Sequence, residues 1–170
     1  MNVPRRYRYI GPDELSGLAR PADLVDVDSA DVLGRWLASR PHRDRTEPFT
    51  YVITIDGLLR LAPRQCEHVT CAAGADVLGA GEVQFEPHRN GWTVVMVSNQ
   101  STGYCPDLDS WHAVAAALER ADVQHPGGFT HPIVFRACTA CGQVNVVRED
   151  LLVCAVCGDD LPGDWNIDQA

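Results

Sequence analysis

FTYVITIDGLLRL, residues 49–61, reads as two β-strands joined at Asp56-Gly57. β-Branched and aromatic residues fill both arms, and Asp-Gly suits the tight turn that the right-handed twist of paired strands prefers. A hairpin here seeds an antiparallel sheet. Downstream, residues 67–72 and 76–85 flank the small turn Ala73-Gly74-Ala75 and are expected to form a second hairpin. Residues 92–98, entered through Asn90-Gly91, supply a further strand. After a polar loop at 99–106, a helix is expected from about Ser110 to Ala121, capped by Asp109, with Trp111, Val114, Ala115 and Leu118 on its buried stripe.

Upstream of the hairpin the pattern turns helical. Pro12-Asp13-Glu14-Leu15 is a helix start, and Asp28-Ser29 can cap a segment in which Val32, Leu33, Trp36 and Leu37 share one face and which ends near Ser39-Arg40-Pro41. Residues 42–48 are polar and mixed in charge, as expected of a linker. The chain therefore divides into a helical segment at 1–46, an α+β domain at 47–130 and a C-terminal module at 131–170. The fold class is α+β: a small antiparallel sheet with helices packed on it, followed by a zinc ribbon.

The ribbon is read from Cys138, Cys141, Cys154 and Cys157, spaced C-x2-C-x12-C-x2-C. Each pair sets two thiolates on one tight turn, and twelve residues suffice for short strands, expected at 144–147 and 151–153, to bring the turns face to face. Gly142 and Gly158 follow the pairs and permit the positive-φ backbone that aims amide N–H groups at the sulfurs. Four soft ligands call for Zn2+, with iron in a rubredoxin-like site as the alternative, although a twelve-residue separation is short for it. Structural zinc contributes on the order of 10–16 kcal/mol, so this segment should depend on its metal. With all four positions taken by protein, no coordination site stays open for water or substrate.

Composition narrows the function classes. Among 170 residues the net charge is −9, and the basic residues are 14 arginines with no lysine. That excludes Schiff-base chemistry, a P-loop lysine and a lysine base, and an acidic chain is a poor partner for nucleic acid. Met1 to Ile10 are followed by Gly-Pro-Asp-Glu and not by an apolar export segment, and no apolar run reaches membrane-spanning length. Outside the ribbon, Cys66, Cys71 and Cys105 are an odd set, which fits a reducing compartment better than a disulfide framework. A cytoplasmic protein is expected.

Three further features compete for a role. Cys66-x-His68-x-x-Cys71 has the outline of half a second metal site, but on a strand residues 66 and 68 would face away from 71. The loop at 98–106, Ser-Asn-Gln-Ser-Thr-Gly-Tyr-Cys-Pro, is rich in hydrogen-bonding side chains and leads to a helix N-terminus, where ligands often bind. Asp107 and Asp109 would repel a phosphate there, and a turn satisfied by its own side chains fits equally well. His68 and Glu82 lie opposite each other if the second hairpin turns through three residues centred on Ala75, and on opposite faces if the turn is even.

The series His68, Gly74, Ala80-Gly81-Glu82, Ser101, Tyr104, Pro106, following a strand–Asp-Gly–strand hairpin, resembles a domain of plant IQ-motif calmodulin-binding proteins and of assorted bacterial proteins. The likeness covers about residues 49–122. It implies a site at His68, Glu82, Ser101 and Tyr104; the loop histidine of that domain is replaced here by Gly103, and there is no IQ motif, so calmodulin binding does not carry over.

The expected function is a cytosolic zinc-binding accessory or binding protein that recognises a protein or a small ligand through the α+β domain. The first alternative is an enzyme, a hydrolase or transferase, with His68 and Glu82 as acid and base, Tyr104 as a hydrogen-bond donor and Ser101 as nucleophile or positioning group. The second is nucleic-acid binding by the ribbon, opposed by its own charge: Arg136 and Arg148 against Glu149, Asp150, Asp159, Asp160, Asp164 and Asp168.

Overall fold

The structure, a computed structural model, describes residues 3–18 and 21–167. The outermost residues of the segments expected at 1–46 and 131–170, Asp168 among them, lie outside the described residues.

Five antiparallel strands make the main sheet. In chain order they are β1 (Val25–Val27), β2 (Phe49–Thr54), β3 (Leu59–Ala62), β4 (Val77–His88) and β5 (Gly91–Val97), arranged β1-β3-β2-β4-β5. The hairpin that opens the sheet is β2–β3, with Ile53 opposite Leu59. Its turn is one residue longer than the Asp-Gly dipeptide alone requires, because Thr54 N–H donates to the Leu58 carbonyl (2.9 Å) and leaves Ile55, Asp56 and Gly57 in the loop. The period-two pattern of β2 sorts its side chains onto two faces. Phe49, Tyr51 and Ile53, with Leu59 and Leu61 from β3, pack against α2 (Ala30–Ala38) and α5 (Trp111–Arg120). Val52, Ala62 and Ala80 face the other way, toward α4 (His68–Cys71), Tyr7 and Tyr104. Burial on both faces is what makes β2 read as a near-continuous apolar run.

Ser29 caps α2 as expected, its Oγ accepting from Val32 N–H (3.4 Å). The remaining helices are single turns, α1 (Asp13–Ser16) and α3 (His42–Arg45), the latter inside the stretch expected to be linker.

Four expectations need correction. Residues 67–72 are not a strand but the helical turn α4, closed by a pair of backbone bonds: Gly74 N–H to Val69 O (2.9 Å) and Ala73 N–H to Thr70 O (3.1 Å). This is a Schellman closure with Ala73, not glycine, in the left-handed position (φ 54°), so the usual glycine signal sits one residue late. Within 1–46, Val25–Val27 is a strand that pairs with β3 and belongs to the sheet. Asp109 does not cap α5; a 3-10 turn, Leu108–Ser110, precedes it, and the Asp107 carboxylate accepts from Leu108 N–H (2.8 Å). In the C-terminal module β7 (Val144–Val147) pairs with β6 (Val134–Ala137), while Val153 only bridges Asp160.

The segment after α5 covers the edge of β5. Gln124 exchanges backbone bonds with Trp92 and Val94, and Thr130 donates its N–H to the Val97 carbonyl (2.9 Å) while its Oγ1 accepts from Val97 N–H (2.8 Å), so the edge offers fewer free groups to another chain.

Candidate functional site

Two tight turns face each other at the end of the β6–β7 ribbon. In the first, Gly142 N–H returns to Cys138 O (2.8 Å) and Cys138 N–H bonds Gln143 O (2.8 Å); in the second, Gly158 N–H returns to Cys154 O (3.0 Å) and Cys154 N–H bonds Asp159 O (2.8 Å). Gly142 and Gly158 take φ of 75° and 79°, where a β-carbon would be strained. The turns bring Cys138 Sγ to 3.6 Å from Cys157 Sγ and Cys141 Sγ to 3.7 Å from Cys154 Sγ. All four sulfurs lie within 4.8 Å of one another, close enough to hold a metal ion. Cys138 and Cys154 are buried against Leu161 and Val147, while Cys141 and Cys157 face solvent.

Asn145 supports this arrangement, and the spacing of the cysteines gave no hint of it. It is a buried polar residue on β7, donating through Nδ2 to Gln143 O (2.9 Å) and toward Cys154 Sγ (3.5 Å), and accepting at Oδ1 from Ala155 N–H (2.9 Å). One side chain thus ties the first turn to the second. The signal available beforehand was a lone amide among the valines of 144–147. Backbone N–H groups of Cys157 and Val156, then Asn145, pull the Cys154 thiol down to about 6, so a thiolate is favoured at that corner.

The ribbon is fastened to the rest of the chain. Asn166 grips Ala137 at both N–H (2.9 Å) and C=O (2.8 Å), and Arg136 donates to the carbonyls of Pro162 (3.1 Å) and Gly163 (2.8 Å). Trp165 donates to Cys105 O (2.8 Å) in the polar loop and meets Tyr7 edge-on with ring centres 5.4 Å apart.

The residues expected to form a second site lie around one corner of the sheet, with much of their hydrogen bonding directed inward. His68 heads α4, and its Nε2 sits 2.9 Å from Gly81 O, which requires the proton on Nε2. Burial lowers the His68 pKa, offset in part by the Gly81 bond and by the charge of Glu82. Glu82 pairs with Thr50 across β2–β4 and so projects on the face where Thr50 Oγ1 donates to Cys66 O (3.1 Å), immediately before α4. Ser101 is buried and its Oγ accepts from Tyr104 N–H (3.3 Å). The Tyr104 hydroxyl donates to Ala75 O (2.7 Å), and burial raises its pKa well above the phenolic range. His68 lines a space of about 60 Å³ with Tyr9, Pro12, Glu67, Thr102 and Gly103, while Tyr104 lines a different one of about 240 Å³ with Tyr7, Tyr9 and Trp165. Glu82 and Ser101 line neither. Among the described residues no second metal cluster forms, since His68 is turned to Gly81 and Cys71 Sγ to Arg60 O (3.8 Å).

The Ala-Gly-Glu element has a steric basis. The chain crosses Gly81 at Ser98, whose carbonyl accepts from the Tyr51 hydroxyl (2.8 Å), and a β-carbon at position 81 would collide with that carbonyl. A larger groove, about 590 Å³, runs between Val3–Tyr7 and α5, with Arg5, Asp109, His112 and Arg120 among its walls. Its residues are dispersed in sequence, and no motif marked it.

Fold and site together define an α+β chain carrying a four-cysteine cluster that could hold a metal ion. Compared with family models, with curated proteins and with solved structures, the chain has no match, so its chemistry is read from its own geometry.

Proposed function

We propose that this chain is a cytosolic zinc-binding accessory protein that recognises a protein or a small ligand through its α+β domain, with the ribbon as a rigid attachment. The sulfur geometry carries the metal-binding part of the proposal. Four sulfurs around zinc at about 2.3 Å sit about 3.8 Å apart, close to the 3.6 Å between Cys138 and Cys157 and the 3.7 Å between Cys141 and Cys154. Four protein ligands make such a metal structural, leaving no position at which it could activate water. In the α+β domain the His68 Nε2–H and the Tyr104 hydroxyl serve backbone carbonyls, which supports a role in shaping a surface over one in proton transfer. The resemblance of residues 49–122 to the domain of IQ-motif proteins belongs to the same proposal, as does a reducing compartment. No helix among the described residues is long and apolar enough to cross a membrane.

Metal analysis of protein purified without chelator tests the metal assignment: about one zinc per chain is expected, falling steeply in Cys154→Ser. Iron, or a full zinc complement in that variant, would overturn it. Co-purification from cells tests the accessory role. A stable protein partner, or a small molecule held unchanged, supports it, whereas a co-purified metabolite that the protein converts to a product would support an enzyme instead.

A further inference from the structure

We infer that the knuckle end of the ribbon is a docking surface for a protein segment that presents apolar side chains between arginines or lysines. Four large apolar residues crowd there: Leu151 is 65% exposed and Val156 68%, with Leu152 and Val153 beside them also exposed. Within six residues of sequence they stand close together in space, and their backbone is held, with Leu151 N–H bonded to Arg148 O (2.9 Å) and Leu161 N–H to Leu152 O (3.0 Å). An apolar patch displayed by a fixed backbone and rimmed by polar groups has the anatomy of an interface core.

The rim says what belongs on it. Glu149 and Asp150 form the left-handed turn (φ 52° and 58°) that leads into Leu151, and Asp160 lies across from Val153 in a bridge, with Asp159 next to it. All four carboxylates are exposed, and among the described residues none of them is in an ion pair. Arg148 is the one arginine between residues 137 and 167, a stretch with no lysine or histidine. Nucleic-acid phosphates and anionic lipid headgroups meet repulsion at such a rim, whereas guanidinium and ammonium groups flanking an apolar anchor are complementary to it. This surface lies outside the α+β domain to which recognition is assigned above; from that proposal it takes only the metal that shapes the knuckles.

The test is a titration of the isotope-labelled, metal-loaded full chain, followed by amide resonances, with a synthetic amphipathic peptide of leucines and arginines. Shifts confined to residues 146–160 are expected, with affinity about tenfold weaker in Leu151→Ser/Val156→Ser and no response to a leucine–glutamate counterpart. Because the serine variant could disturb the knuckles, a second one, Glu149→Lys/Asp160→Lys, should transfer the preference to the glutamate peptide. Shifts elsewhere, an equal response to both peptides, or tighter binding of single-stranded DNA at the same residues would overturn the inference. Wild-type protein that carries no zinc defeats the metal proposal, while zinc-replete protein indifferent to the leucine–arginine peptide defeats only this surface.

Discussion

Gly81 shows how much one missing side chain can decide. Its absent β-carbon lets the Ser98 carbonyl approach β4, where Tyr51 secures that carbonyl, while the Gly81 carbonyl receives His68 from the neighbouring α4. Gly81→Ala must therefore push backbone against backbone, and a loss of roughly 2–3 kcal/mol is expected in urea unfolding. His68→Ala leaves a buried carbonyl short of a donor and should cost about 1–3 kcal/mol. His68 also makes stability depend on pH. Its folded pKa is lowered, mainly by burial, so on acidification the unfolded chain takes up the proton first. The contribution is complete above the ordinary histidine value of about 6.5 and is lost as pH falls below it toward the folded value. Urea midpoints measured at about pH 7.5 and about pH 5 should show this loss in the native chain and less of it in His68→Gln, whose amide can still donate.

At the level of elements, the sequence made the strands plainer than the turns between them. The hairpin of β2 and β3, the strand of β5 and the helices α2 and α5 were legible because their apolar periods and Asp-Gly or Ser signals agree. α4 was not. Val69, Thr70 and Cys71 have strand character one by one, and the helical turn is held by Cys71 N–H to Glu67 O (3.0 Å), Ala72 N–H to His68 O (2.9 Å) and the 6→1 and 5→2 closure around Ala73. That change also removes the hairpin parity on which the facing of His68 and Glu82 rested, since His68 approaches β4 from a helix and meets its backbone. The cysteine quartet was fully legible in its spacing. Its support was not, because Asn145 acts through contacts made only once β7 lies under the second turn. Asn145→Ala should lower zinc affinity about 10–100-fold in competition with a chromophoric chelator, with the cysteines untouched. Unchanged affinity would reduce Asn145 to a packing residue.

Across the whole molecule, ribbon and sheet meet through Trp165, Tyr7 and Cys105, so metal loss should be felt beyond the knuckles. With a strong chelator, hydrogen exchange is expected to quicken over residues 134–161 while β2, β3 and β4 keep their protection, and tryptophan emission should shift as Trp165 leaves Tyr7. Simultaneous loss of the sheet would mean one cooperative unit. Charge is also set at this scale. Arg5, Arg40, Arg43, Arg60 and Arg64 each pair with a carboxylate, Arg120 and Arg136 donate to backbone carbonyls, and the acids outnumber the arginines, giving the chain its net charge of −9. Titrations with RNA and DNA at two salt concentrations should give affinities weaker than about micromolar at physiological salt.

The contact between Tyr7 and Trp165 also has a mechanical meaning. Two residues near opposite ends of the chain touch, so a force drawing the ends apart acts first on the contacts that pin them, Arg5 with Asp107 and Trp165, Tyr7 with Trp165 and Val77, and Asn166 with Ala137, which would open one after another. The five strands would not be sheared together at the outset. Under tension the molecule should peel at low force, with the cysteine knuckles and the sheet yielding as separate later events.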